Sequence, residues 1–411
     1  MNVDLVMTLL VPVVMDLHIA IKQSSAIWVG VASLFMVSCH SSGDPKKRQP
    51  LSKMEVKTEV FRFESADVDN LKSYSLTCAF EADSVAVMYA YNYKTHGLDC
   101  FNLLQGTVSH IPFAVSGADA VNRSVRSLYV QSPDSIWIYD DSQHALLLDG
   151  KGQVRRKTNL RKGLDRGEEL LIERNYAICT APLRYDADRQ SLRYACQDLS
   201  HPVRDIYVCE QPLNDSLPVK KRHLSRPHSV SDFATGTYGN MGGVNLCFTP
   251  NGLIYNYPVE SAVYVASAAS SEERMLTAES NYTPNVAARC KSPQDYSSWI
   301  VHTIENPHFY EVISLPGQEM FARLHLGSCP ADVSADLGVQ MDSRGCYLTL
   351  FDAEMQQTAE IELPSRHYDY YTGWCGMRDG ILLFADNHQE EESEDETTVI
   401  EWIRPTPIPD R

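Results

Sequence analysis

The segment Arg366-His367-Tyr368-Asp369-Tyr370-Tyr371-Thr372-Gly373-Trp374 concentrates aromatic rings beside a histidine and an arginine. Such rings stack on sugar faces and offer a large contact area with little side-chain entropy to lose. Tyr368, Tyr370, Tyr371 and Trp374 are therefore the first candidates for a ligand-binding surface, with core packing as the competing role of any single ring. Arg323, His325, His228 and Asn240 are further candidates for ligand binding, and Arg323, His325 and His228 also suit a second chemistry. Facing aromatic and acidic groups in one cleft, they would serve a polysaccharide hydrolase or lyase. The stretch Pro218-Val219-Lys220-Lys221-Arg222-His223-Leu224-Ser225-Arg226-Pro227-His228 adds cations that suit an anionic ligand such as an acidic sugar. It runs into the glycine stretch 236–243, which carries Asn240, so that 214–245 reads as one long polar connection. Long connections in compact folds are often functional, although a solvated loop is the simpler reading.

Other chemistries find no pattern. The glycine stretch lacks the Gly-Lys-[Ser/Thr] and following helix of a phosphate-cradling loop, and reads as backbone needing positive φ. There is no Gly-x-Ser-x-Gly elbow and no His-Glu-x-x-His. The 13 histidines are scattered, and no carboxylate pair can be chosen among 53 acids without distances. Glu390-Glu391-Glu392-Ser393-Glu394-Asp395-Glu396 lacks the alternation and glycine of a calcium loop, and reads as an extended hairpin tip or partner-docking element. No catalytic residue, metal or cofactor is assigned. Lys+Arg number 36 against 53 acids, a net charge of −17, which argues against nucleic acid as a partner.

The N-terminus carries an address. Lys22 precedes the apolar run 27–37, and Ser38-Cys39 is followed by polar residues. A basic flank, a run too short to span a bilayer and a small residue before a cut describe a secretory signal. Cysteine directly after that small residue resembles the lipobox of bacterial lipoproteins. The resemblance implies that Cys39 is acylated and becomes the mature N-terminus. Residues 1–38 are accordingly leader and signal, and 39–54 a Pro-rich, charged tether. Residues 55–407 are a single folded domain, and 408–411 a tail. Ten cysteines remain (11 − 1 = 10), with no Cys-x-x-Cys pair. Export would permit one or two disulfides, of unknown pairing.

The folded region positions its candidates on short β-rich runs. Asp83-Ser84-Val85-Ala86-Val87-Met88-Tyr89 and Asp134-Ser135-Ile136-Trp137-Ile138-Tyr139 open alike, and each is followed by polar turns and further runs. Starts at 84, 135, 175, 252, 298, 345 and 380 are mostly separated by the roughly 40–50 residues of a four-stranded propeller blade. Residues 175–179 are expected to pair with 191–196, and 160–173 is the best helical window. Small sheets with two apolar faces must cover one another, and a ring covers the last faces as well. Glu59-Val60-Phe61-Arg62-Phe63 is expected to close the ring beside Val399-Ile400-Glu401-Trp402-Ile403. The expected fold is all-β, a β-propeller of four-stranded antiparallel sheets, with seven blades favoured and six allowed. A two-domain β-sandwich is the alternative.

With its lipobox, short tether and blades opening Asp-Ser-Ile-Trp-Ile, the chain resembles TolB-like and WD40-like propeller lipoproteins of gut-type Gram-negative bacteria. Within them it resembles a family of unknown function, partly through Glu360-Ile361-Glu362-Leu363-Pro364, Tyr368 and Gly380-Ile381-Leu382. The resemblance implies a fold and a compartment, the periplasmic face or the cell surface, and no reaction. The expected function is a lipid-anchored binding module for an envelope protein or glycan. A polysaccharide-acting enzyme with its site at the channel mouth is the alternative.

Overall fold

Alternation of polar and apolar residues, the usual mark of a half-buried strand, is missing from the strongest β runs of this chain. Val85–Asn92 is buried at all but its first position, and Ser135–Tyr139 follows the same pattern. Strands covered on both faces read this way. Alternating exposure survives in outer strands such as Thr107–Pro112. The computed structural model describes residues 54–64, 74–175, 178–200, 203–230, 232–234, 236–268, 270, 272–370, 373–385 and 397–408. The signal segment, Cys39, Tyr371 and the acidic run 390–396 lie outside these residues.

The strands form six antiparallel blades. Blade 1 spans 74–112, blade 2 127–159, blade 3 168–223, blade 4 245–276 and blade 5 308–363. Blade 6 combines Trp374–Gly376, Ile381–Phe384 and Thr397–Pro407 with the N-terminal strand Met54–Glu64. That N-terminal strand is the expected closure. It runs antiparallel to Thr397–Pro407, with Glu59 opposite Trp402, Phe61 opposite Ile400 and Phe63 opposite Thr398.

Each blade interface has its own apolar core. Leu98 and Tyr91 of blade 1 meet Ile136 and Leu146 of blade 2, and Trp137 of blade 2 meets Leu192 and Tyr194 of blade 3. Val208 meets Leu246 and Tyr255 between blades 3 and 4, and Ile254 and Val263 meet Val312 and Phe351 between blades 4 and 5. Leu324 and Leu348 meet Trp374 and Ile403 between blades 5 and 6, and Phe63 and Ile400 meet Met88 and Phe101 to complete the circle. Burial at roughly 25 cal/mol per Å² of apolar surface is what holds such sheets together. Close approach between blades sets some glycines. Gly152 has φ +78°, and a Cβ there would lie 2.3 Å from the Pro112 carbonyl oxygen of blade 1.

Six is the lower of the two blade counts the sequence allows, and the surplus start has a physical origin. Starts 84, 135, 252 and 380 fall at turns between first and second strands, and 345 opens the third strand of blade 5. Start 298 lies instead in helix α1 (Tyr296–Glu305), whose cap Asp295 accepts the Ser297 N–H at 3.1 Å. A short apolar run fits either period, and the aspartate cap decides it. Helix α2 (Leu337–Asp342) lies inside blade 5, between its second and third strands. The helical window 160–173 is not a helix: a single 3₁₀ turn, Leu160–Gly163, gives way to the strand Glu168–Leu171. Start 175 belongs to neither helix nor blade. Asn175 pairs with Cys179 in a small hairpin, while Cys196 pairs with Leu170 and Tyr207.

Candidate functional site

The innermost strand of blade 3 is split. Glu168–Leu171 and Arg184–Asp186 pair with opposite ends of Ser191–Asp198, and the chain between them leaves the blade as the hairpin Glu173–Asn175 and Cys179–Ala181. This hairpin enters the centre of the ring. The Thr180 N–H donates to Asn245 Oδ1 of blade 4 at 2.8 Å, and its hydroxyl donates to Glu311 Oε2 of blade 5 at 2.8 Å. Arg174 donates to the Trp374 carbonyl of blade 6 at 2.9 Å and lies 3.8 Å from Glu311. The Leu183 N–H donates to Ser127 Oγ of blade 2 at 2.9 Å. Gly243 is small because a Cβ would meet Cys179 Sγ at 2.2 Å.

The channel thus holds protein polar groups that satisfy one another. Asn245 extends the network by donating to the Phe309 carbonyl of blade 5 at 2.8 Å. Burial raises the Glu311 carboxyl, against the pull of Arg174 and the Thr180 hydroxyl. At the hairpin's base, burial pushes Glu173 up to about 7, although Arg126 sits 3.4 Å away. Sequence reasoning missed this hairpin because three-residue strands give no periodic signal. Its only trace was the apolar-polar mixture around Asn175, which read as a blade start.

The expected site residues disperse. Arg323 and His325 are wholly buried at the interface of blades 4 and 5. Arg323 donates to the Ser261 carbonyl (2.7 Å) and the Ala278 carbonyl (3.0 Å), under the rings of Phe309 and Phe351. Burial pulls this guanidinium down to about 9, with Glu360 opposing. His325 stacks between Phe309 and Tyr347, each 5.2 Å away, and burial lowers its basicity. His228 is exposed elsewhere, in a segment held by the buried Glu260, which accepts the His228 and Ser229 N–H groups at 3.0 and 2.7 Å. The three side chains share no cleft.

The basic stretch is not the loop expected of it. Lys220–His223 is the outer strand of blade 3, because the blade needs a fourth strand and long basic side chains tolerate an edge. Lys221, Arg222, His223 and Arg226 of this stretch are engaged within the chain. Lys221 contacts Glu168 at 2.5 Å, Arg222 donates to the Glu272 carbonyl at 3.0 Å, and His223 and Arg226 reach Asp205 at 3.1 and 2.8 Å. Asn240 lies in a glycine turn packed on α1. Gly236 and Gly239 have φ +76° and +56°, and a Cβ at Gly239 would lie 3.1 Å from His302 Nδ1.

Most of the aromatic segment is inter-blade core. Trp374 is fully buried, 4.5 Å from the Tyr310 ring, and Tyr370 is buried beside it. Among the described residues, Tyr368 is the tyrosine of this segment that also reaches a surface groove. The groove, about 620 Å³, runs between the outer strands of blades 5 and 6. Its walls mix the apolar Met54, Val56, Val60, Ile361, Leu363 and Pro364 with the polar Glu55, Thr58 and Glu362. At its polar end the buried Glu401 carboxylate binds two groups. His367 Nε2 lies 2.9 Å from Oε1, and the Tyr368 hydroxyl donates to Oε2 at 2.8 Å. Burial and Glu401 both raise the Tyr368 phenol, keeping it a donor. His367 remains well exposed, its orientation set by a carboxylate that is itself fixed. The arrangement offers a partly apolar bed, edged by Glu55, Thr58 and Glu362, with an oriented imidazole at one end. Among the described residues, no group of three or more His, Cys, Asp or Glu could hold a metal ion.

These features define a six-bladed β-propeller with an occupied channel and a perimeter groove. No protein-family model and no curated protein matches the chain. Among solved structures it is similar to a DUF4221 family protein from Bacteroides vulgatus, with a TM-score of 0.68, 13% identity, and coverage of 87% of this chain and all of the other. It is also similar to a Bacteroides fragilis protein expected to be exported, with a TM-score of 0.52, 11% identity, and coverage of 85% and 95%. At these identities the likeness shows the fold alone. A Trypanosoma rangeli sialidase, at TM-score 0.40, is too distant to carry an argument.

Proposed function

We propose that this protein is an extracytoplasmic binding module, anchored through a lipid on Cys39, that holds an envelope glycan or protein in the groove between blades 5 and 6. The carrying observation is the groove itself, where walls that mix apolar side chains with Glu55, Thr58 and Glu362 meet an imidazole oriented by the buried Glu401. Binding sites with few, fixed polar groups on an apolar bed are the common pattern for ligands. The address rests on the signal-like segment before Cys39. An exported protein among the structural neighbours agrees with it, and no helix of the described residues is long and apolar enough to cross a membrane. Polysaccharide cleavage at the channel mouth is less favoured. Arg323, His325 and His228 do not converge, and the hairpin holds the axis.

The test is a titration of the purified chain against a panel of envelope glycans and envelope proteins. Val60 is half exposed on the groove wall, so Val60→Asp alters the bed without touching a core. Saturable binding by the native chain that the variant loses supports the proposal. Binding that the variant keeps, or turnover of a substrate, overturns it.

A further inference from the structure

Blade 3 carries two cysteines whose relation the sequence does not announce. Cys196 and Cys209 lie on its neighbouring strands Ser191–Asp198 and Asp205–Pro212. The register places Tyr194 opposite Cys209 and Cys196 opposite Tyr207, so all four side chains share one face. Both thiols are fully buried there, in the core shared with blade 2. Their sulfur atoms are 3.4 Å apart. All ten described cysteines are free thiols.

We propose that Cys196 and Cys209 are an oxidation site, joined as a disulfide when the chain folds outside the cytoplasm. The inference rests on the exported address given above. The two thiols lose two protons and two electrons to a disulfide-bearing oxidant of the thiol–disulfide exchange class. One S–S bond forms, and the oxidant leaves as its dithiol. Bringing the sulfurs from contact to the bonded distance of about 2.05 Å draws the two strands together as well as turning the side chains, because the cysteines are diagonal neighbours in the register. Timing follows from burial. A thiolate is the attacking species, and the neighbouring Cys209 thiol together with burial raises the Cys196 pKa in the folded state. Oxidation therefore precedes the docking of blade 2, and the finished bond is then hidden from reductants. The cross-link fastens the strand that both segments of the split inner strand pair with, and so the base of the channel hairpin.

Trypsin separates the partners. Cleavage after Arg193, Arg204 and Lys220 puts Cys196 in peptide 194–204 and Cys209 in peptide 205–220. In one arm, full-length chain is refolded with oxidised glutathione, trapped by alkylation and mapped without reduction. In the other, the chain is trapped directly from cell envelopes. The expected result is a linked 194–204/205–220 pair in both arms, and a lower melting temperature in Cys196→Ser and Cys209→Ser than in the oxidised parent. Absence of the linked pair after oxidative refolding overturns the site, whatever the location. A linked pair in the refolded chain but free thiols from cells overturns the native bond and counts against the exported address, leaving the geometry intact. A Cys196→Ala/Cys209→Ala chain that melts like the oxidised parent overturns the fastening role.

Discussion

Glu173 allows the hairpin in the channel to be probed without removing it. Its carboxyl rises from an ordinary 4.5 to about 7 because burial disfavours the charge more than Arg126 favours it, and Asp141 adds repulsion. A carboxyl with a folded pKa above its unfolded one holds its proton more tightly in the native state. The contribution of this one carboxyl to stability is therefore greatest below about 4.5 and declines as pH rises, with the loss complete a little above 7. At about 1.4 kcal/mol per pKa unit, that span corresponds to a loss of about 3 kcal/mol. Glu173→Gln keeps the shape and removes the titration. The variant should match the native chain near pH 4.5 and exceed its stability by about 3 kcal/mol at pH 8. Urea denaturation at both pH values, followed by tryptophan fluorescence, measures the difference. A variant equal to or less stable than the native chain at pH 8 would refute the burial argument and make Arg126–Glu173 a net-favourable pair.

Other substitutions test the ring. Arg323→Ala leaves the Ser261 and Ala278 carbonyls without their guanidinium donors and opens space between Phe309 and Phe351, so denaturation should show a loss of about 3 kcal/mol. A loss below about 1 kcal/mol would mean that burying the cation costs as much as its contacts return. Gly152→Ala forces a left-handed alanine against the Pro112 carbonyl, and a loss of about 2 kcal/mol or more is expected from the same assay. An unchanged midpoint would show that the two blades can part at this turn without cost.

The sequence showed what repeats and hid what happens once. Asp83-Ser84 and Asp134-Ser135 mark equivalent turns because each blade needs a tight reversal before a strand buried on both faces. The closing strand was legible because a ring must join its two chain ends in one blade, and 59–63 pairs with Thr397–Pro407 as such a ring needs. Residues 298–302 misled because an apolar run of that length has no decisive period, and the deciding cap, Asp295, lies outside it. The channel hairpin is held by single polar contacts to distant strands, as Thr180 is to Asn245 and Glu311, and no local pattern encodes such pairings. Arg323 and His325 looked functional by residue type alone. They are a polar seam sealed between blades, with carbonyls, rings, the Ser280 hydroxyl and the Glu360 carboxylate as their partners. The groove was half visible. Tyr368 was named for its aromatic neighbourhood, but Glu401, which fixes both Tyr368 and His367, comes from a strand 33 residues further along.

The claim that most needs testing is that ligands meet this propeller at its rim, between blades 5 and 6, and not along its axis. Hydrogen–deuterium exchange of the full chain, read by mass spectrometry during titration with a glycan or protein that saturates it, reports the location directly. Slowed exchange confined to the strands Met54–Glu64 and Gln357–Leu363 and to the residues around His367 is the predicted result. Protection centred on the hairpin Glu173–Asn175 and Cys179–Ala181, with the rim unchanged, would contradict it.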